Sequence, residues 1–487
     1  MRTTTASILR ASARSSFLPT VVWSIRRTVV WVSVAFVLLT LPVAAEGQPG
    51  HRARLSRGLS QAVAAGRTKP VILSGSPREM RALAARHGLP VRKVLPSGVV
   101  VEVADSASLE ALSSDPAVPV VAEDARVFAN MANEVVSLGA DQAWAGLLGV
   151  DGVTGRGVGV AVIDSGILAR HEALAGRVVA SVDFVGIRGR GDDTYGHGTH
   201  VAGIIAGAVV RGAGRFSGVA PGAHLVSLKV LDEDGSGETS TVIEAIDWVI
   251  ANRELYQLRV INLSLGKAVL ESWQDDPLVQ AVERAVSAGL VVVTSAGNWG
   301  TLPDGTRVRD GITSPGNAPS AITVGALDTM GTPERSDDRP TDWSSRGMTA
   351  IDQFLKPDVA APGRRVLSAG VAKSTLGSRE DAMVTGAGPR FYQTLSGTSQ
   401  AAAMVAGVAA LVLEARPTLA PHEVKALLQL TAQRVENAGV AEVGAGAVNA
   451  AAAVLAAGAG YEGQAPTTIA GELVERAELM WNPNVGA

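Results

Sequence analysis

The chain has 487 residues, 47% hydrophobic and 18% charged, with a formal net charge of −3. That composition is globular, with neither the basic excess of a nucleic-acid binder nor an acidic run suggesting a disordered tail. Cysteine is absent, which excludes disulfides, thiolate metal sites and a cysteine nucleophile.

At the N-terminus, Arg2, Arg10, Arg14, Arg26 and Arg27 precede an apolar run over 28–45 that closes in Pro42-Val43-Ala44-Ala45. Basic, apolar and small-residue regions in that order predict a secretory signal, 1–45, cleaved after Ala45. The alternative is an uncleaved anchor, because the run approaches the length that spans a bilayer. Pro42 and the small residues favour cleavage, so the expectation is an exported protein with no membrane attachment afterwards. Residues 46–67 are polar and basic and read as a linker.

A compact pattern follows. Residues 71–73 read as a strand, 77–86 as a helix with Met80, Leu83 and Ala84 on one face, and 98–103 as a second strand. A short capped helix over 106–114 and a strand over 118–121 complete a small α+β module of split-βαβ, ferredoxin-like type. It carries no constellation of catalytic residues. A less regular connector spans 129–155, with a helix over 140–148.

From residue 158 the pattern alternates strongly. The run 158–163 is a continuous apolar strand of the kind buried in parallel sheets. A helix over 200–209, strand 225–230, helix 240–251, strand 260–264, helix 278–288 and strands 290–294 and 321–324 come next. Strands alternating with helices predict an α/β fold, a doubly wound, mostly parallel sheet with helices on both faces. In such sheets ligands lie beyond the carboxyl ends of the strands, so the residues there come under scrutiny.

The first strand ends in Asp164-Ser165-Gly166. A glycine-bracketed histidine, Asp193-Thr194-Tyr195-Gly196-His197-Gly198-Thr199-His200, opens a helix of small residues. The strand at 290 ends in Ser295-Ala296-Gly297-Asn298. Gly397-Thr398-Ser399 opens a helix, apolar on every face to about Leu413 and therefore buried. Each has a bland reading: Asp164 and Asn298 as turn residues, His197 and His200 as a weak metal pair, Thr398 or Ser399 as an N-cap. Together they make one chemistry. A serine needs an imidazole to take its proton, the imidazole needs a carboxylate to hold its tautomer, and an amide donor suits an oxyanion.

The order Asp, His, Ser resembles that of subtilisin-like serine proteases, peptidase family S8. Val162-Ile163-Asp164-Ser165-Gly166-Ile167 is similar to the family's aspartate motif. Gly196-His197-Gly198-Thr199-His200-Val201-Ala202-Gly203 is similar to its histidine motif, in which the first histidine is catalytic and the second structural. Gly397-Thr398-Ser399 resembles its serine motif and Ala296-Gly297-Asn298 the segment bearing its oxyanion asparagine. Gly218-Val219-Ala220-Pro221, the run Lys356 through Gly363 and Gly444-Ala445-Gly446-Ala447-Val448-Asn449 extend the likeness over roughly 155–457. The module at 69–128 resembles the family's propeptide, an inhibitor and folding chaperone, by pattern only.

The resemblance implies four parts: signal 1–45, linker and propeptide 46–133, peptidase domain 134–460, and a tail 461–487 of unassigned role with a short helix over 471–480. It implies that Ser399 is the nucleophile, His197 the general base, Asp164 its orienting carboxylate and Asn298 an oxyanion donor. Extended substrate would pair beside Gly235-Ser236-Gly237 and Ser264-Leu265-Gly266, the second set also walling the pocket for the residue before the cleaved bond. The expected partners are protein or peptide substrates and the chain's own propeptide as intramolecular inhibitor, with no nucleic acid. No cofactor is required for the chemistry.

The chain departs from the family's pattern in places. Gln400 stands where a methionine is usual, and Ala403 and Met404 where proline and histidine are usual. Ala173 replaces an aspartate ligand of the family's calcium site, so structural calcium is possible but its ligands are not identifiable; Asp232, Glu233 and Asp234 read as a solvated loop. The expectation is an exported, self-processing serine endopeptidase with a mature form beginning between 129 and 136. The alternatives are a catalytically silent binding protein of the same fold and a transpeptidase using the same triad.

Overall fold

The computed structural model describes residues 53–55, 69–118, 120–124, 132–146, 149–186, 192–208, 216–379, 383–459 and 467–474. The expected signal segment, and nearly all of the linker and of the tail beyond 474, lie outside the described residues. The chain divides into two compact units, Met1–Ala125 and Arg126–Ala487.

In the first unit the described elements are β1 (Arg54–Leu55), β2 (Lys69–Ser74), α1 (Pro77–Arg86), β3 (Val91–Leu95), β4 (Gly98–Val103), α2 (Ser106–Ser113) and β5 (Val120–Glu123). Asp105 caps α2 by accepting the Ser108 N–H at 2.7 Å. The strand order is β1-β5-β2-β4-β3, antiparallel throughout except that β1 runs parallel to β5. From β2 to β5 this is the βαββαβ ferredoxin-like arrangement. Val71, Leu73, Leu83, Val99, Val101, Leu109 and Leu112 form its core. Strand β3 escaped the sequence reading because Arg92 and Lys93 interrupt it and Val91 and Val94 face outward, each 40% exposed.

The second unit is built on a sheet whose main path is β12-β11-β10-β9-β6-β8-β7, with β15 added beside β11. The strands are β6 (Gly159–Asp164), β7 (Val178–Asp183), β8 (His224–Lys229), β9 (Leu258–Leu263), β10 (Val291–Ser295), β11 (Ile322–Asp328), β12 (Arg339–Pro340) and β15 (Val359–Pro362). All pair in parallel except β12, which is antiparallel. Strands that follow β6 fall on one side of it through β8 and on the other from β9 onward. The order therefore reverses at the β6–β9 boundary, where Ile163 lies opposite Leu263.

Alternate side chains of these strands enter two separate cores. Val160, Val162, Val260, Val291 and Val293 pack against α5 (His197–Ala206) and α8 (Thr398–Ala415). Ala161, Ile163, Val226, Ile261 and Val292 pack against α6 (Thr239–Asn252) and α7 (Pro277–Ser287). Helix α8 is long and apolar enough to cross a membrane, yet 83% of that window is buried within the fold. It is a core helix, as its all-round apolar surface requires.

Two short antiparallel pieces complete the frame: β13 (Gly347–Met348) with β14 (Leu355–Lys356), and β16 (Val366–Ala369) with β17 (Met383–Thr385) and β18 (Tyr392–Leu395). Before the sheet come α3 (Ala132–Ser137) and α4 (Ala140–Ala145), and after α8 come α9 (Pro421–Leu430), α10 (Val440–Val443) and α11 (Ala450–Ala459). The expected helix over 471–480 is not formed in its described part. Residues 467–474 make a hairpin, β19 (Thr467–Ile469) and β20 (Glu472–Val474). Ala470 and Gly471 turn it with φ of 51° and 87°, the left-handed pair that a two-residue hairpin loop needs. Ile469 and Val474 face inward while Leu473 is 64% exposed. Residues 475–480 lie outside the described residues.

Candidate active site

Asp164 is the last residue of β6 and 1% exposed. Its Oδ1 accepts the Ser165 N–H at 2.7 Å, and its two oxygens stand 2.9 and 3.0 Å from His197 Nδ1. His197 is the first residue of α5, its side chain 15% exposed. A carboxylate on Nδ1 selects the tautomer with Nε2 unprotonated, the form able to accept a proton.

The fit around His197 depends on a residue the sequence reading quoted but gave no role. Asp193 is buried and takes three donors: Ser165 Oγ at 2.8 Å, the Gly196 N–H at 2.6 Å and the Thr199 N–H at 2.8 Å. It thereby satisfies N–H groups at the start of α5 that have no helical partner. Ser165 Oγ in turn accepts the Gly198 N–H at 2.9 Å, tying the loop after β6 to the same turn. Burial pushes the His197 pKa down, but the charge and hydrogen bond of Asp164, with Asp193 behind, hold it above the ordinary histidine value. Burial raises the pKa of Asp193 against the bonds that lower it. The only sequence signal for Asp193 was its place four residues before the histidine.

Helix α8 begins at Thr398, so neither Thr398 nor Ser399 is its N-cap; that position belongs to Gly397, in extended conformation with φ 169°. Ser399 is joined to the end of β9 by reciprocal bonds. Its Oγ donates to the Ser264 carbonyl at 3.0 Å, and Ser264 Oγ donates to the Ser399 carbonyl at 2.9 Å. Asn262 Nδ2 donates to Ser264 Oγ at 2.9 Å from beneath.

Asn298 lies just beyond β10. Its Oδ1 accepts both the N–H and the Oγ1–H of Thr398, each at 3.0 Å, while Thr398 Oγ1 accepts the Gly297 N–H at 3.1 Å. A backbone N–H can only be met by the amide oxygen, so this bond fixes the orientation of the side chain and leaves Nδ2 as the free end. That Nδ2 is 3.5 Å from the point where a Cβ on Gly397 would stand. Thr398, which aims the amide, was visible in sequence only as part of a motif.

A cleft of about 410 Å³ is lined by His197 and by Gly235, Ser236, Gly237, Ser264, Leu265 and Gly266, the two stretches singled out as substrate contacts. Tyr195, Leu231, Thr239, Val242, Lys267 and Leu278 also line it and had not been singled out as substrate contacts. Lys267 adds little free charge, since its Nζ sits 2.8 Å from the fully buried Asp276 and 3.5 Å from Glu271. Among the described residues, Asp304, Arg307 and Asp310 do not line the cleft.

His200 belongs to packing. Its Nε2–H is shared between the carbonyls of Val366 and Gln393 at 3.1 and 3.0 Å, and burial first, then the neighbouring His197, push its pKa down to about 3. The family's calcium does not fit what is seen at Ala173, which is fully buried and offers no oxygen ligand from its side chain. The stretch 207–217 carries no carboxylate in its sequence either, and its residues 209–215 lie outside the described residues. Gln400, Ala403 and Met404 are buried.

The peptidase S8 model, described as the subtilase family, matches residues 155–446. The serine protease AprX of Bacillus subtilis (strain 168) is 40% identical over 303 residues, 61% of this chain and 66% of that protein. The extracellular serine proteinase of Thermus sp. (strain Rt41A) is 35% identical over 350 residues, 70% of this chain and 73% of that protein. Subtilisin E of Bacillus subtilis (strain 168) is 32% identical over 409 residues, 84% of this chain and 94% of its own length. Among solved structures, a cold adapted subtilisin-like serine proteinase matches with 31% identity and a TM-score of 0.46, over 64% of this chain and 96% of that one.

Proposed function

The chain belongs to the subtilase family of serine-type endopeptidases, and on that premise we propose that it is exported and cuts peptide bonds with Ser399, His197 and Asp164. The observation that carries the reading is the 2.9 Å contact of Asp164 with His197 Nδ1, with His197 lining the same cleft as Ser264, whose carbonyl accepts the Ser399 hydroxyl. In the resting state the Ser399 hydroxyl rests on the Ser264 carbonyl, and for reaction it turns to His197 Nε2. Catalytic hydrogen bonds often form only once substrate is bound.

Substrate enters as an extended strand between residues 235–237 and 264–266. Ser399 Oγ attacks the scissile carbonyl carbon and its proton passes to His197 Nε2. Asn298 Nδ2 and the Ser399 N–H, at the positive end of α8, hold the oxygen that becomes negative. The intermediate collapses with the proton going from His197 to the departing amine. Water, deprotonated by the same imidazole, then attacks the acyl-enzyme and frees Ser399. Asp164 stays ionised and stabilises the imidazolium. No step calls for a metal or cofactor.

The first unit, with its ferredoxin-like order, supports the role of a propeptide that inhibits the enzyme until it is cut off. Asn133 and Val135 are buried within α3, so cleavage on the amino side of Ala132 leaves that packing intact. The test is mass spectrometry of wild type and Ser399→Ala. Wild type yields a mature form starting within 129–136 and Ser399→Ala remains the precursor; identical processing of both refutes self-cleavage. Labelling of Ser399 by a serine-directed phosphonate in processed protein separates an active enzyme from a silent relative.

A further inference from the structure

Resting on the hydrolytic reading above, we propose that Asn262 is a positioning residue for the nucleophile. Its amide acts through Ser264 to lock the Ser399 backbone, so that the hydroxyl can turn to His197 while the rest of the residue stays in place.

Asn262 stands where the sheet otherwise places aliphatic side chains. Side chains alternate along β9, and Ile261 and Leu263 enter the core under α6 and α7. Asn262 therefore shares the opposite face with Val260, under α8. Its cross-strand neighbours there are Val162 on β6 and Val293 on β10. The side chain is fully buried, and its Oδ1 has no hydrogen-bond partner among the described residues. An aliphatic residue would fill this position without a buried polar atom left unmatched, a cost that packing alone does not offset. The matched half of the amide shows what it does.

Asn262 Nδ2 donates to Ser264 Oγ at 2.9 Å. A hydroxyl carries one hydrogen and two lone pairs. With a lone pair taken by the amide, the hydrogen of Ser264 goes to the Ser399 carbonyl at 2.9 Å. Turned over, the amide would present Oδ1 as an acceptor and draw that hydrogen away from Ser399. The orientation of the amide thus sets the direction of the series from Asn262 through Ser264 to Ser399.

Ser264 meets Ser399 at a second point, its own carbonyl accepting the Ser399 hydroxyl at 3.0 Å. The two bonds have opposite fates in the reaction. The hydroxyl must leave the Ser264 carbonyl to reach His197 Nε2, whereas the bond to the Ser399 carbonyl can persist throughout. Holding that carbonyl confines the turn to the side chain and keeps the Ser399 N–H trained on the same point as Asn298 Nδ2. Precision of this kind acts on the chemical step, because a misplaced reacting group loses rate without losing bound substrate. Asn262 itself is not among the residues that line the cleft.

The test compares wild type, Asn262→Leu, Ser264→Ala and the double variant, each processed in trans by tagged wild type that is then removed. Hydrolysis of a fluorogenic peptide gives kcat and KM, a saturating phosphonate gives the rate of Ser399 labelling, and urea unfolding gives stability. Asn262→Leu lowers kcat and the labelling rate by roughly five- to tenfold, the scale of one neutral hydrogen bond, and leaves KM within about twofold. Ser264→Ala gives a loss of like size and serves if the leucine variant does not fold. The double variant loses no more than the larger single loss, because the two residues act in series. A kcat within about twofold of wild type in either single variant, or losses that multiply in the double, overturns the relay. A variant that is less stable yet keeps its kcat assigns Asn262 to packing and also overturns it. Wild type that is not labelled at Ser399 means the hydrolytic reading has failed; labelled wild type with unaffected variants means this inference alone has failed.

Discussion

Removing the amide of Asn298 should damage two things at once, and the structure says how to separate them. The Nδ2 end is the proposed oxyanion donor, and the Oδ1 end accepts the Thr398 N–H and Oγ1–H at 3.0 Å. Loss of one oxyanion donor costs about 2.7–4 kcal/mol of transition-state stabilisation, a scale set on a subtilisin and so borrowed from a relative. Asn298→Ala should therefore lower kcat by about 10²–10³ with KM nearly unchanged, the signature of an interaction made only in the transition state. It also leaves the Thr398 donors without their acceptor at the start of the core helix, worth about 1–3 kcal/mol of folding stability. Asn298→Asp keeps the acceptor and loses the donor, so it should be as inactive as the alanine variant yet fold nearly as stably as wild type. The assay is kcat and KM on a fluorogenic peptide, using variants processed in trans by tagged wild type that is then removed, alongside urea unfolding of each. If Asn298→Ala keeps kcat within about threefold of wild type, far inside the loss of one such donor, Asn298 is not an oxyanion donor. If both variants lose stability equally, the bonds to Thr398 are not what its oxygen contributes.

If, as proposed, neutral His197 takes the serine proton, its pKa, held above the ordinary value, should make kcat/KM fall with acid through a midpoint above about 6.5. Asp193→Asn removes one of the charges that raise it and should move that midpoint downward; a midpoint that stays or rises contradicts the assignment. Burial, joined by the nearby charges of Glu334 and Glu472, lifts the Asp337 pKa to about 6 although its bond from Thr332 opposes this. A carboxyl raised on folding binds more protons in the native state, so its contribution is most favourable below the unfolded value and is lost as pH rises through about 6. Asp337→Asn should accordingly raise the Tm at pH 8 but not at pH 4, and equal effects at both would exclude the titration. Ile469→Ala should cost about 2–5 kcal/mol in urea unfolding, because this fully buried side chain of the terminal hairpin packs at Gly139; a loss below about 1 kcal/mol, under the range for a packed core residue, would mean the hairpin is not docked in solution.

Much of the architecture was legible from hydrophobic pattern. Continuous apolar runs such as 158–163 marked buried parallel strands, and the misplacements at their ends were small. One shift had consequence: α5 starts at His197 and not at His200, which places the imidazole at the helix N-terminus beside the donors that Asp193 satisfies. Two elements were illegible for opposite reasons. Strand β3 is outward-facing and broken by charge, so its periodicity is weak, and it forms because β4 offers an edge. The tail read as a short helix over 471–480, but in its described part left-handed backbone at Ala470 and Gly471, with Ile469 buried, makes residues 467–474 a hairpin.

What the amino-acid order determined by itself was the succession of buried strands and helices and the residues standing at their ends: Asp164, His197, Asn298 and Ser399. Those features depend on backbone preference and on apolar spacing within windows of ten or twenty residues, which a single stretch of chain contains. The tertiary structure alone decided which groups meet: Thr398 aiming the amide of a residue 100 positions earlier, Ser264 clasping Ser399 across 135, and Thr375 strapping the loop at Glu233 from 142 away. Such pairs have no local signature, because each hydrogen bond is directional and forms only when strand order and register have already brought its two ends within 3 Å or so.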